Sequence, residues 1–371
     1  MSDAELQALV RQVLWAGFGL GALFGLIAQR THFCTMGAVA DVVNIGDWSR
    51  MRMWALAIGT AMLGFNAMVA MGWVKASSTV YAAPGWLWLS DMVGGTMFGF
   101  GMVLASGCGS KTLVRMGAGN LKSMAVFCVL GLSAFATLKG ITAVLRVNTV
   151  DKVVWTLPTG QDLPSLAAAA FGGTAATHAG WLGALIGGGL LLWALARREG
   201  RSAEALLGGI GIGALVVAGW WVSGRMGHLA EHPQTLEEVF LTTNSQRMES
   251  FSFVAPYAYL IDYFILFSDK SKALTLGVVI TLGVVAGSGL MALMAGSFRW
   301  EGFRGVEDTA NHLVGGVLMG VGGVVAVGCT VGQGLSGVST LSLGSFLAVA
   351  SIIAGAVLAL RWQVWRLERS A

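Results

Sequence analysis

Residues 94–109 read GGTMFGFGMVLASGCG, and residues 315–330 read GGVLMGVGGVVAVGCT. In each stretch a glycine pair lies fourteen residues before a cysteine: Gly94-Gly95 before Cys108, and Gly315-Gly316 before Cys329. Both read as apolar, glycine-spaced helices that run into a Gly-Cys break. Working outward, one order of elements describes residues 12–138: a span, a short re-entrant segment, two spans, a Gly-Cys loop and a span. The same order describes residues 203–360. A single span at 180–196 lies between the copies, within a connecting region at 139–202, so the second copy is predicted to enter the membrane in the opposite sense. Inverted repeats of this kind place a transport site near the midplane, between the copies.

Bulk composition agrees with membrane placement. The 371 residues are 55% hydrophobic and only 11% charged, with 54 glycines and a mean hydropathy of +0.72. A soluble domain carries about 25% charged residues. Nine stretches approach the roughly 20 apolar residues that a crossing needs: 12–29, 53–74, 88–106, 124–138, 180–196, 203–223, 273–295, 309–327 and 344–360. The pieces at 33–46 and 251–268 are shorter or interrupted and read as re-entrant. The expected fold is therefore an all-α polytopic protein, one integral membrane domain of about nine helices followed by a cytoplasmic tail at 361–371.

Loop charge sets the expected orientation. With the N-terminus outside, the inside loops collect more Lys and Arg than the longer outside loops, among them Arg50, Arg52, Lys111, Arg115, Lys122 and Arg299. The positive-inside rule then predicts an inner-membrane protein with its N-terminus out and C-terminus in. No removable signal peptide is read at the N-terminus. The net charge of +4 reflects this bias, and no basic run points to nucleic acid. His228 and His232 are four apart, but Pro233 argues against a helical metal pair there.

Three of the four cysteines sit on glycine-rich breaks: Cys34 in His32-Phe33-Cys34-Thr35-Met36-Gly37, Cys108 in Ser106-Gly107-Cys108-Gly109-Ser110-Lys111, and Cys329 in Val327-Gly328-Cys329-Thr330. Irregular backbone at membrane depth persists only where protein or a polar pathway satisfies its N–H and C=O groups. Glycine lets a ligand approach main-chain N–H groups, and successive N–H groups cradle anions. Gly107, Gly109 and Gly328 therefore frame candidate anion-facing turns with a thiol at the tip. A thiol is a weak, polarizable donor that suits a soft anion better than a strongly hydrated one. In apolar surroundings it stays neutral, which favours an anion over a metal. Gln29 and Gln333 lie on the breaks as second-rank contacts, with Ser336, and Lys111 stands near the inner end. Cys128 reads as helix packing. Phe253-Val254 takes roughly the place of Phe33-Cys34 in the second copy, so the first thiol has no twin. Asp41 reads as a positioning residue.

At these residues the chain resembles the YeeE/YedE family of bacterial membrane proteins, whose characterised members take up thiosulfate. The match runs through Arg30-Thr31-His32-Phe33-Cys34, Ser106-Gly107-Cys108-Gly109, Phe298-Arg299-Trp300-Glu301-Gly302-Phe303, Val327-Gly328-Cys329-Thr330 and Gly332-Gln333-Gly334-Leu335-Ser336, and spans about residues 12 to 360. The resemblance implies two inverted halves pinched at the middle by inward-pointing loops. It also implies a relay in which thiosulfate passes Cys34, Cys108 and Cys329 by S–H···S hydrogen bonds, with Cys108 central. Some family members are linked to selenium metabolism, and many work beside a TusA-like sulfur-carrier protein, expected here as a separate chain.

Two other classes compete. A membrane sulfurtransferase would form a persulfide on Cys108, but it needs an activated thiolate, and Lys111 and His32 are the nearby candidates. A soft-metal permease would draw on the 17 methionines, which are scattered without a repeated motif. No GxxxxGK[ST] motif is present, so no ATPase, metal or cofactor is expected on this chain.

Overall fold

The computed structural model describes residues 2–269 and 271–370. It is built almost wholly of helices: α1 (Asp3–Thr31), α2 (Thr35–Ile45), α3 (Ser49–Ala70), α4 (Trp88–Leu104), α5 (Gly109–Gly117), α6 (Leu121–Lys139), α7 (Ile141–Asn148), α8 (Leu163–Phe171), α9 (Ala175–Leu195), α10 (Ala203–Met226), α11 (Val254–Ile265), α12 (Leu276–Met294), α13 (Val306–Val325), α14 (330–339) and α15 (Leu343–Ser370). The strands are two antiparallel pairs of two residues each, Gly85–Trp86 with Trp155–Thr156 and His228–Leu229 with Val239–Phe240.

Among the described residues eight segments are long and apolar enough to cross a membrane, against the nine expected. The stretch expected to span at 309–327 forms helix α13, which carries Glu307 and Asp308 in its first turn and is not one of the eight. The two expected re-entrant pieces are the short helices α2 and α11, of 11 and 12 residues. Helix α15 continues through the expected tail to Ser370. Lys270, one of the cations expected outside, lies outside the described residues.

Close approach of helices follows from the glycines. Helix α1 lies along α12, and α4 lies along α13 and α15. A Cβ at Gly287 would overlap the Ala22 carbonyl, and one at Gly99 would overlap the Ile352 carbonyl. Lipid tails supply no hydrophobic drive between helices, so such backbone contact is what holds them. Other packing partners come in matched pairs. Helix α3 packs on α10 as α12 packs on α1; α6 packs on α13 and α11, as α15 packs on α4 and α2. Large apolar residues such as Trp15, Leu185, Leu192 and Leu293 are exposed, as suits a face turned to lipid. Cys128, expected to pack between helices, is exposed on α6.

Candidate functional site: three thiols between two cavities

The three breaks share a left-handed residue two positions before the cysteine. Helix α4 ends when Ser106 turns left-handed (φ 56°). The Gly107 N–H then bonds the Met102 carbonyl at 2.8 Å, and the Ser106 N–H bonds Val103 at 3.1 Å. Helix α13 ends identically, with Val327 left-handed (φ 55°), Gly328 bonded to Gly323 at 2.8 Å and Val327 to Val324 at 3.1 Å. This double closure satisfies the helix's last carbonyls and turns the chain sharply. His32 (φ 52°) turns α1 in the same hand. A β-branched residue such as Val327 is strained there, and strain of this kind concentrates at functional sites.

Two residues after each left-handed turn comes the cysteine, and it opens the next helix. The Cys34 sulfur accepts from the Gly37 N–H at 3.3 Å, and the Cys329 sulfur accepts from the Gly332 N–H at 3.3 Å. The Cys108 carbonyl accepts from the Thr112 N–H at 2.9 Å, while its sulfur pairs with Ser110 Oγ at 3.3 Å. Each thiol therefore stands at a helix start, where unpaired N–H groups and the helix dipole favour negative charge.

The breaks converge. Cys34, Cys108 and Cys329 are all buried. The thiols of Cys34 and Cys108 lie beside each other. Thr330 lies beside the Cys108 thiol, its hydroxyl without a standard hydrogen-bond partner, as is the hydroxyl of Thr35 next to Cys34. The Phe253 N–H approaches the Cys329 sulfur. Phe253 opens α11 where Cys34 opens α2, and it packs against Phe24 at a centroid distance of 5.6 Å. The fourth corner is thus aromatic and carries no thiol; the helix starts set Phe253 opposite Cys34, one residue from the sequence match of Phe253-Val254 with Phe33-Cys34.

Two cavities approach this cluster from opposite ends of α6 and α13. One, of about 400 Å³, is lined by Leu138 and Val324 and reaches Val327 and Gly328. The other, of about 390 Å³, is lined by Lys122 and Asp308 and reaches His32 and Ser106. The sixteen residues from Lys122 to Leu138 separate the cavities by about 24 Å of helix. Each cavity therefore ends on left-handed residues that precede a thiol. The second is strongly basic, with Lys111, Arg115, Lys122, Arg299 and Arg304 against Glu301 and Asp308.

The site residues expected from sequence are placed unevenly. Gln29 and Lys111 line the basic cavity. Among the described residues Lys111 has no carboxylate partner, and it packs against Gly107. Arg115 donates through one nitrogen to the Ser106 carbonyl at 2.7 Å, and Lys122 is paired with Asp308 at 2.9 Å. The carbonyl of Gly109 accepts from Tyr257. Gly328 lies against Gln333, whose amide nitrogen donates to the Ala326 carbonyl. Ser336 donates to the Phe251 carbonyl at 2.7 Å and is occupied by that structural bond. Asp41 pairs with Arg50 at 3.2 Å, which agrees with a positioning role. His228 pairs with Glu238 at 2.7 Å, and His232 accepts from the Gln234 N–H.

Sequence reasoning missed the first cavity, whose wall includes Arg146, Arg247 and Glu249. The last two follow the His228 and His232 stretch, to which the sequence assigned no site. It also gave no role to residues 298–303. They clasp the turn after α5: the Arg299 N–H bonds the Ala118 carbonyl at 3.2 Å, and the Leu121 N–H bonds the Glu301 carbonyl at 2.9 Å.

Residues 30–358 match the family model described as sulphur transport. The chain belongs to this sulphur-transport family. Among the relatives of this family member, the thiosulfate transporter TsuA of Spirochaeta thermophila is 26% identical, over 92% of this chain and 97% of that protein. The thiosulfate transporter TsuA of Escherichia coli is 25% identical, over 97% of each chain. The probable transporter YedE of Salmonella typhimurium is 29% identical over 28% of this chain and 24% of its own length. The full-length relatives are named as transporters, and this family member, with its eight apolar spans, is a multi-pass membrane transport protein and not an enzyme.

Proposed function

We propose that this protein imports thiosulfate, or a closely related sulfur oxyanion, across the bacterial inner membrane by a relay of neutral thiols. The observation that carries the reading is the placement of Cys34, Cys108 and Cys329 two residues after left-handed helix ends, between two cavities, with Cys34 and Cys108 beside each other. The anion enters at the cavity ending on Val327 and Gly328, meets Cys329, moves to Cys108 and Cys34, and leaves through the basic cavity past Lys111 and Gln29. S–H donors hold a terminal sulfur weakly enough for it to leave, as conduction requires. Gly107, Gly109, Gly328 and Gln333 shape the turns that hold the thiols.

The same proposal treats residues 12–138 and 203–360 as inverted halves joined by 139–202, with α2 and α11 as re-entrant segments. The matched packing of α1 on α12 and α3 on α10 supports it, as do the identical ends of α4 and α13. The basic cavity is assigned to the cytoplasm by the positive-inside rule, which places the N-terminus outside. A separate TusA-like carrier is proposed to receive the sulfur inside, on the family resemblance alone.

The test is uptake of thiosulfate, labelled at either sulfur, into proteoliposomes containing only this protein. Intact anion should accumulate, and Cys108→Ala should reduce uptake at least tenfold at equal incorporation, with Cys34→Ala and Cys329→Ala weakening it less. Normal uptake by the Cys108 variant ends the relay. Sulfite outside with label on the protein points to the sulfurtransferase instead.

A further inference from the structure

A third cavity, of about 240 Å³, adjoins the one that leads to Cys329 and shares Val80, Tyr81 and Val327 with it. Its wall carries Asp91, Gln161, Gln333 and Ser345. All four are buried, with exposures of 4, 7, 2 and 1%. Three of their oxygens, Gln161 Oε1, Gln333 Oε1 and Ser345 Oγ, have no hydrogen-bond partner. The Asp91 carboxylate receives one bond, from Trp86 Nε1 at 3.1 Å, and no cationic side chain among the described residues pairs with it.

The amides are oriented by their other ends. Gln161 Nε2 donates to the Ala83 carbonyl at 3.1 Å, and Gln333 Nε2 donates to the Ala326 carbonyl. Flipping either amide would set oxygen against oxygen, so both carbonyl oxygens are turned away from those partners and face the cavity. Two glycines leave the room between these groups. A Cβ at Gly344 would lie 2.9 Å from both Asp91 Oδ2 and Gln161 Oε1, and one at Gly337 would lie 2.8 Å from Gln333 Oε1 and close to Ser345 Oγ.

Buried acceptors left unpaired cost free energy, and a buried carboxylate costs more unless its charge is balanced. A cavity wall that carries one carboxylate, two amide oxygens and a hydroxyl, with no nitrogen or sulfur ligand, offers the donor set of a hard cation. A single carboxylate balances a single charge, and a divalent ion would bring an uncompensated charge into a low-dielectric interior. We propose that this pocket binds one monovalent alkali cation, Na+ or K+, through Asp91, Gln161, Gln333 and Ser345. Gln333 ties the pocket to the thiol path, since its N–H bonds the Cys329 carbonyl at 2.7 Å. Occupancy therefore fixes the turn that presents Cys329, and the cation travels with the anion. This coupling rests on the transport reading; the binding does not.

Thermal unfolding of the full-length protein in detergent tests binding without any sulfur anion. At equal ionic strength, NaCl, KCl and choline chloride are compared over a concentration series. A saturable rise of a few degrees in one or both alkali salts, absent in choline, is expected, and the salt that gives it identifies the ion. Asp91→Asn and Gly344→Ala should each remove the rise, whereas Cys108→Ala should keep it. No difference from choline, or a rise that survives in both pocket variants, overturns the site. Uptake in proteoliposomes should then fall at least fivefold when the external alkali cation is replaced by choline. Cation-indifferent uptake alongside a confirmed thermal rise overturns the coupling and leaves thiosulfate transport intact.

Discussion

The Tyr257 hydroxyl donates a hydrogen bond of 2.5 Å to the carbonyl of Gly109, so a residue of α11 holds the backbone beside Cys108. A counterpart runs the other way: Tyr81 donates to the Gly332 carbonyl at 2.7 Å, next to the Cys329 turn. Both tyrosines lie far along the chain from the break they hold, and both are buried. The turns that carry Cys108 and Cys329 are thus each held by a tyrosine distant in sequence.

Tyr257→Phe should expose the value of that bond. It removes one of the bonds to the Gly109 carbonyl, which as the first residue of α5 keeps its helical bond, a loss of about 0.5 to 1.5 kcal/mol, with little change in packed volume. A lower thermal midpoint and several-fold weaker uptake are expected. If both stay at the wild-type level, the tyrosine does not hold the break.

Lys111 and Lys122 should separate cleanly, although both line the basic cavity. Lys111 has no ion-pair partner among the described residues, so Lys111→Gln should raise the half-saturating anion concentration several-fold and barely move stability. Lys122 is buried and paired with Asp308 and, at 3.7 Å, Glu301. Lys122→Met should cost about 1 to 2 kcal/mol, less than a fully buried pair because Asp308 is partly exposed. Parallel uptake and unfolding measurements decide it. A stability loss at Lys111, or none at Lys122, contradicts the assignment.

Gly99→Leu and Gly287→Leu should prevent assembly. Each side chain would displace the backbone of a neighbouring helix, at Ile352 and Ala22, where overpacking has nowhere to go. Gly188 has nothing within 4 Å of a Cβ, so Gly188→Leu should yield a monodisperse protein in size-exclusion chromatography while the other two aggregate.

Much of this was readable before any coordinates. Periodic apolar runs mark α4 and α13 as helices, and Gly107-Cys108 and Gly328-Cys329 mark where they stop, because glycine-rich termination is a local property. Cys34 was readable as a break for the same reason. What sequence could not give was pairing at a distance. Nothing local tells that Lys122 is spent on Asp308 while Lys111 is not, or that Ser336 serves the Phe251 carbonyl. Gln161 lies in the stretch read as a connecting region, yet its main-chain carbonyl accepts from the Leu343 N–H at 3.0 Å and its side chain is buried. Small and polar residues look alike in a loop and in a re-entering segment, and only the partner distinguishes them.

Glu249 should make the protein sensitive to pH from the side of the Cys329 cavity. It lies outside the spans, half-buried in the cavity wall with Arg146, Arg247 and Tyr259. Burial raises its carboxyl above the ordinary value of 4.5, against the opposing hydrogen bonds from the Ser245 hydroxyl and N–H. A raised carboxyl binds its proton more tightly folded than unfolded. Stability from this group is therefore complete below 4.5 and is lost as pH rises through the raised folded value. The same deprotonation puts a negative charge in the path of an entering anion, so uptake should also decline over that window. Glu249→Gln, with its neutral amide, should flatten both profiles from the acid end toward neutrality. If the variant's uptake declines with pH in parallel with the wild type, the titrating group lies elsewhere.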